Sequence, residues 1–460
     1  MEYDVIVVGA GLTGLSTAFF LQQKGKKVLV LEKQDRVGGA MYSHSENGFV
    51  FEEGPNTGVI GNAETAELFE MLGIEPLVAN SEAEKRLIYK KNNWYALPSG
   101  GVGFLKTPLF DFWDKIKIAF EPLRKRGTDP DESVASLAKR RIGRSFVDYA
   151  VNPFISGIYA GDPEKLITRY ALPKLYKLEQ KYGSFIGGSF KKGLEPKSLR
   201  DKKATRKVFS GEYGFSSLIE KLEEKIGKEN IICGAHDIKI KKVNDSFEVT
   251  FQKDGQSMSQ PSYKVVTTVG AHALPDLLPF VSPLEMKKIS NLTYAKVIQV
   301  AVGVERKAIN DRYVSFGGLI PQKENRRLLG VLFPSFCFPN RAPEGYATLA
   351  IYLGGTNHPE FITLSDQKIT DIVHEELLDL FAIPSSAISF MKIFRHEHAI
   401  PQYEISTGER LSSIAKIEHE HDGLYIAGNL RNGIGIADRV KQAYDIAESL
   451  VWKTAVHHVC

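Results

Sequence analysis

Tyr3-Asp4-Val5-Ile6-Val7-Val8 is a run of β-formers, and the glycine motif Gly9-Ala10-Gly11-Leu12-Thr13-Gly14 follows it without a break. Leu15, Ala18 and Phe19 then recur at helical spacing, so the segment reads strand, glycine turn, helix. In such a turn the first glycine makes the tight bend, the second admits a pyrophosphate to the backbone, and the third lets the helix pack on the strand. The helix start offers unpaired N–H groups and the positive end of its dipole to phosphates. A second apolar strand, Val28 to Leu31, ends at Glu32, about 20 residues beyond the motif, where a carboxylate grips an adenosine ribose. Any tight strand-to-helix turn explains a lone glycine motif. Strand, helix and acid in these places together point to a dinucleotide.

The next loop, Asp35-Arg36-Val37-Gly38-Gly39, separates flavin from nicotinamide. An extended dinucleotide needs this second glycine pair so that the backbone passes close to its ribose and ribityl portion. FAD is therefore favoured over NAD. Gly54-Pro55-Asn56-Thr57, after the apolar Phe49-Val50-Phe51, is assigned to the cofactor site because glycine and proline let the backbone lie against a flat ring, although a surface turn has the same composition. Near the other end, Gly423 to Ile426 is a buried-strand pattern that runs into Gly428-Asn429, and Ile436, Val440, Ala443, Ala447 and Leu450 mark one helix face. The start of that helix, around Gly433, Ile434 and Asp438, is placed at the pyrimidine end of the flavin, where its dipole stabilises negative charge. Lys33, Arg36 and Ile238 are counted with the same cofactor site.

A chain of 460 residues exceeds one core, so two or three sub-domains are expected. No apolar stretch approaches the roughly 18 to 20 residues that span a bilayer. Met1 to Asp4 lacks the basic and apolar regions of a signal peptide, and the expectation is a cytoplasmic protein, on or off the membrane face. A net charge of +4 without a focused basic stripe argues against nucleic acid and suits an anionic substrate or lipid surface. Cys233, Cys337 and Cys460 are far apart and read as free thiols.

Lys85 to Lys90, through Trp94-Tyr95 to Leu97-Pro98, reads as a hairpin. From Phe104 to Arg126, aromatic and aliphatic residues mix with Lys106, Lys115, Lys117, Arg124, Lys125 and Arg126. Such a basic amphipathic helical segment suits a membrane interface, and equally a core helix with a basic outer face. Val151 to Pro163 reads as a breaker-rich loop whose small residues leave an entry for a bulky flat ligand, and Lys191 to Lys207 as a solvated lysine-rich loop. A helix over about 215–226 and strands at about 237–243, 247–251 and 263–269 follow. A second, strand-rich unit spans 271–389, with strands such as 298–304 and 347–353. Phe316 to Pro321 and Leu329 to Phe333 are suited to walling a slot, or simply to sheet core. Arg395 to His398 and Glu418 to His421 offer alternating imidazoles without further ligands nearby, so solvated strand ends are preferred to a metal site.

Asn152-Pro153-Phe154 with Gly161-Asp162-Pro163, Pro173 to Glu179 with Gly183-Ser184, and Phe338 to Pro343 with Gly354-Gly355 run in order along the chain. Together with the glycine motif and Gly428-Asn429 they resemble the FAD-dependent protoporphyrinogen oxidases of haem synthesis, within the amine-oxidase-like flavoproteins. The resemblance covers nearly the whole chain. It implies an α/β fold: a Rossmann-like FAD-binding domain (1–84, 207–270 and 390–460), a mixed-sheet substrate domain (85–97 and 271–389), and an inserted helical domain (98–206) that sits peripherally on a membrane. It implies a tetrapyrrole substrate sandwiched by Leu319 and Leu332, with Tyr352 where the family often has a stacking phenylalanine and Gly161 near the slot. Lys90 falls where some members carry an arginine that pairs with a propionate, and lysine loses the bidentate fork.

The implied reaction oxidises protoporphyrinogen IX to protoporphyrin IX, six electrons leaving by hydride transfer to flavin. The same chemistry on coproporphyrinogen III is the nearest alternative. An amine oxidase or desaturase on this scaffold is expected to lack the 173–183 and 338–343 segments, and a non-enzymatic relative is expected to lack the flavin glycines. No catalytic acid or base is assigned, and oligomeric state is left open, a homodimer included.

Overall fold

A computed structural model describes residues 3–98 and 100–456. Two seven-stranded sheets carry the molecule. In the first, Ile231–Ile232, Val28–Leu31, Tyr3–Val8 and the second half of Gln256–Thr267 run parallel, and Leu424–Ile426 joins that last strand, again parallel. The first half of Gln256–Thr267 turns back through Ser246–Lys253 and His236–Val243 as an antiparallel meander. The parallel strands are buried on both faces, which is why Val28–Leu31 is an unbroken apolar run. One face packs on Leu12–Gln22, Ala63–Leu72, Ser216–Ile226 and Ile436–Val456, and the other on Pro283–Ser290, Thr407–Glu420 and the meander.

The second sheet has the order Ile388–Pro401, Tyr294–Glu305, Tyr346–Gly354, Leu328–Leu332, Gly317–Leu319, Arg86–Lys90, Asn93–Ala96. All its pairings are antiparallel except the parallel one between Gly317–Leu319 and Arg86–Lys90. Side chains alternate, so Leu87, Ile298, Val300, Val331 and Ile351 share the back face, which is covered by Asp366–Phe381. Between Gly100–Lys106 and Leu199–Lys202 the described chain is helices and turns, and Val208–Ser210 then pairs with Gly58–Val59 and Leu77–Val78.

Four local expectations are corrected. The segment Val151 to Pro163 is not a loop: it contains the helix Asn152–Tyr159, because Pro153 sits in the first turn, where a missing N–H costs nothing. The helical reading of Phe104 to Arg126 splits into Gly100–Lys106 and Phe112–Ala119, since Pro108 interrupts and Asp111 caps the second helix through Asp114 N–H. Lys191 to Lys207 is partly helical, with Ser184 capping Phe185–Gly193 and a reciprocal Ser198–Asp201 cap starting Leu199–Lys202. Glu418, His419 and Glu420 end the helix Thr407–Glu420 and are not a strand end.

Candidate cofactor and substrate site

The glycine turn is built as its spacing requires. Gly9 has φ +104° and donates to Leu31 O at 2.8 Å. A Cβ on Gly14 would lie 1.9 Å from Gly9 O, so only glycine lets the helix Leu12–Gln22 close on the turn. A Cβ on Gly11 would meet nothing within 4 Å, leaving open space above the backbone at the position where a pyrophosphate must approach. Ala10, Leu12 and Thr13 are buried around it. Glu32 ends its strand with Oε2 accepting Ala10 N–H at 2.6 Å and Oε1 accepting Gln34 N–H at 2.9 Å, which fixes the carboxylate and leaves lone pairs for a ribose hydroxyl. Lys33 is exposed beside it. Ile238 lies in the bulge of His236–Val243, close to Ala235, whose N–H donates to Glu32 O at 2.8 Å.

The second loop docks on the first. Gly38 N–H donates to Ala10 O at 2.8 Å, and Gly38 and Gly39 have φ +102° and +58°. Arg36 staples this loop, donating to Gly39 O at 2.9 Å and Glu53 at 3.1 Å, with its guanidinium 4.1 Å from the Tyr42 ring centroid. Beyond Glu53, Gly54 packs against Ala40 O, Pro55 and Thr57 are half-buried, and Asn56 Nδ2 donates to the Tyr352 hydroxyl at 2.8 Å.

The C-terminal loop joins the same region. Thr268 stands between Gly9 and Gly428, touching the Cβ position of each. Asn62 Nδ2 donates to Ala437 O at 2.7 Å, so the helix Ile436–Val456 starts against the chain that follows Thr57. Gly428 N–H donates to Gln442 Oε1 at 2.9 Å. The Tyr403 hydroxyl lies 2.8 Å from Asn429 O and 2.9 Å from Gly433 O, and Ile434 packs near Tyr403 in a small core. Open space over Gly11, left-handed glycines at 9, 38, 39, 428 and 433, and a fixed Glu32 fit an extended FAD.

The front face of the second sheet presents Gln299, Tyr352, Gly330, Leu332, Leu319, Ile88 and Lys90, in that order of strands. Two covers lie on it. Gln299 donates to Glu52 O at 2.7 Å, His396 meets Glu53 O at 2.9 Å, and Phe390 and Phe394 pack on Phe49 and Phe51, so the cofactor-side segment covers one half. The helical insertion covers the other half through Leu109, Phe110, Phe146 and Tyr149. Between the covers lies a strip of Tyr352, Gly330, Leu332 and Leu319. A Cβ on Gly330 would lie 2.8 Å from Gly318 O and 3.2 Å from Leu319, so the floor of the strip is flat by necessity.

The structure therefore brings Leu319, Leu332 and Tyr352 together, next to Asn56. Burial raises the Tyr352 phenol above its ordinary range. Lys90 lies at the far end, donating to Leu109 O at 2.6 Å and Pro108 O at 3.3 Å above the Tyr149 ring; burial, then Lys91, holds its pKa below the usual lysine value. Gly161 is buried beside Ala160, which lies in the apolar cluster that Tyr352 packs against, and the space for a Cβ on Gly161 is taken by Gln402, whose amide donates to Tyr159 O at 2.9 Å. Gly157, in sequence only one of the small residues of 151–163, faces the strip, with its Cβ position 2.5 Å from Leu319. Helical spacing could have found it, had Asn152–Tyr159 been read as a helix. Among the described residues no group of three metal-ligating side chains exists.

Residues 12–436 match the sequence pattern described as flavin containing amine oxidoreductase. The chain is 27% identical over 468 residues to the chloroplastic protoporphyrinogen oxidase of Nicotiana tabacum, covering 98% of this chain and 85% of that one. It is 25% identical to the coproporphyrinogen III oxidase of Bacillus subtilis (strain 168), covering 95% and 96%. A crystal structure of a candidate protoporphyrinogen oxidase from Exiguobacterium sp. 255-15 superposes with a TM-score of 0.81 at 22% identity, covering 98% and 99%. With backbone and acid placed to fit an FAD, the chain is an FAD-dependent oxidoreductase and belongs to the flavin containing amine oxidoreductase family.

Proposed function

We propose that the chain oxidises a porphyrinogen, with protoporphyrinogen IX as substrate and protoporphyrin IX as product. The observation that carries this reading is the flat apolar strip on the sheet front, floored by Gly330 and flanked by Leu319, Leu332 and Tyr352, which ends at the cofactor-side Asn56. Bound FAD supplies the hydride acceptor for a methylene-bridge carbon. The chain itself supplies placement and exclusion of water. Leu319 and Leu332 sit diagonally on adjacent strands and give apolar contact to a flat ring. The Asn56 bond fixes the Tyr352 ring, whose raised pKa keeps it protonated at neutral pH, so it orients and does not act as a base. Lys90 lends positive charge near the far end of the strip, where a propionate would lie, while it staples the insertion to the sheet.

The named relatives support both a protoporphyrinogen and a coproporphyrinogen substrate. The test is porphyrin fluorescence with time after adding each porphyrinogen to the yellow protein, against blanks without enzyme. Faster appearance from protoporphyrinogen IX is expected. A faster response to coproporphyrinogen III would move the enzyme to that substrate. If neither exceeds its blank while flavin is bound, the porphyrinogen reading fails and an amine substrate comes forward.

A further inference from the structure

The loop Gly428–Ile434 is pinned from behind. Tyr403 reaches Asn429 O and Gly433 O, Arg410 Nε donates to Leu430 O at 3.1 Å, and Arg439 donates to Arg431 O at 2.8 Å, with Gln442 Nε2 adding a second bond at 3.3 Å. The single Tyr403 proton serves Asn429 O or Gly433 O and not both at once, so three carbonyls of this loop are held at a time by buried side chains, while the same hydroxyl accepts Gly433 N–H at 3.1 Å and Gln442 accepts Gly428 N–H at 2.9 Å. In a trans peptide the N–H points away from its C=O, so holding Asn429 O and Arg431 O to the rear turns Leu430 N–H and Asn432 N–H to the other side, which makes a concavity suited to negative charge.

The charges behind the loop are unbalanced. Arg410 is 0% exposed and Arg439 7%, and among the described residues neither forms an ion pair with a carboxylate. Arg410 Nη1 and Arg439 Nε have no hydrogen-bond partner although both are buried. The nearest acid on the helix start, Asp438, accepts Gly435 N–H at 3.1 Å as a cap. An unpaired buried cation is costly, and two of them beside one loop call for an anion that arrives with a ligand. Burial lowers the pKa of both guanidinium groups and outweighs the more distant pull of Glu404 on Arg410 and of Asp438 on Arg439.

We propose that Tyr403, Arg410 and Arg439 are positioning residues that hold the loop 428–434 with its carbonyls averted and set two buried positive charges behind it, so that the loop stabilises the negative charge a flavin acquires on reduction. Hydride transfer brings two electrons and one proton to the ring, and the excess charge resides at the pyrimidine end. The inference rests on placing this loop at the flavin. It does not depend on which substrate supplies the hydride.

The test uses the FAD-loaded full chain and needs no porphyrinogen. Tyr403→Phe removes the hydroxyl and keeps the ring, and Arg439→Lys keeps the charge while losing the fork that reaches Arg431 O and Gln442. Sulfite, which adds to oxidised flavin and bleaches it, reports the same stabilisation of negative charge. Sulfite affinity is expected to fall about tenfold in Tyr403→Phe and less in Arg439→Lys. A tenfold fall corresponds to a two-electron potential about 30 mV lower, checked by equilibration with a redox dye. Unchanged sulfite affinity and potential in both variants, at full flavin content, would overturn the proposal. So would loss of flavin from both, since the residues would then build the binding site and not tune its charge.

Discussion

At the scale of single residues, two neighbouring glycines make opposite predictions. Gly14→Ala puts a methyl 1.9 Å from Gly9 O, which the turn cannot absorb, so that variant is expected to lose flavin and thermal stability together. Gly11→Ala meets nothing within 4 Å and has φ −71°, so its apoprotein melts as wild type does while FAD binding weakens. Calorimetry of the apoproteins alongside flavin titration checks the pair. Glu52 makes a pH prediction. Its carboxyl is 3% exposed, and burial pushes its pKa up to about 7 despite hydrogen bonds from Ser43 and Phe215 N–H. The folded state therefore binds the proton more tightly than the unfolded chain, and stability falls as pH rises from about 4.5 to 7, by roughly 3 kcal/mol for this group. Glu52→Gln, whose amide can donate to Ser43 and accept from Phe215, is expected to flatten that slope in urea titrations at pH 5 and pH 8. Much of the site was legible at this scale. Gly9, Gly11, Gly14 and Glu32 announce themselves because their chemistry is local, whereas Tyr403 and Arg410 reach carbonyls 20 or more residues on, and Arg439 one in an irregular loop, so that all three look like ordinary polar positions.

At the scale of elements, the helical insertion depends on a buried charge cluster in which Arg141 pairs with Glu121 and, at 3.6 Å, with Glu179. Arg141 and Glu121 are both fully buried and bonded to each other, and Glu121 also accepts the Ser184 hydroxyl and the Phe185 and Ile186 N–H groups at the start of Phe185–Gly193. Arg141 in turn donates to Arg124 O at 2.9 Å and Gly183 O at 2.6 Å. Arg141→Met leaves Glu121 charged and unpaired, a loss of about 3 to 5 kcal/mol. Because the pair belongs to the insertion, hydrogen exchange is expected to quicken over 121–126 and 183–193 while Tyr3–Val8 stays protected. Equal loss of protection in both sheets would show that the insertion does not unfold alone. Element identity was readable where the apolar period is regular, as for Ser216–Ile226 and Ile436–Val456. It was missed where prolines and glycines imitate loops, as in Asn152–Tyr159, and where lysines hide a capping box, as in Leu199–Lys202.

At the scale of the whole molecule, the insertion gathers exposed apolar side chains within a short stretch of chain. Phe112 and Trp113 are each 68% exposed, Leu123 78% and Leu199 84%, and Phe190 and Leu194 are exposed as well. Lys106, Lys115, Lys117 and Lys191 lie among them in sequence. Among the described residues no helix is long and apolar enough to cross a bilayer, so if this side meets lipid it does so from the surface. We propose that it rests on an anionic interface, aromatic side chains entering the headgroup boundary and lysines meeting phosphates. Side chains of this size gain about 1.5 to 3 kcal/mol each on full burial, so Phe112→Asp with Trp113→Asp is expected to weaken sedimentation with anionic vesicles by at least about a hundredfold. Salt alone should weaken it less, because it screens only the lysines. Neither residue has a buried side chain, so flavin content and melting temperature should hold in the double variant. Vesicle binding that survives both the double substitution and high salt would place the contact elsewhere on the molecule.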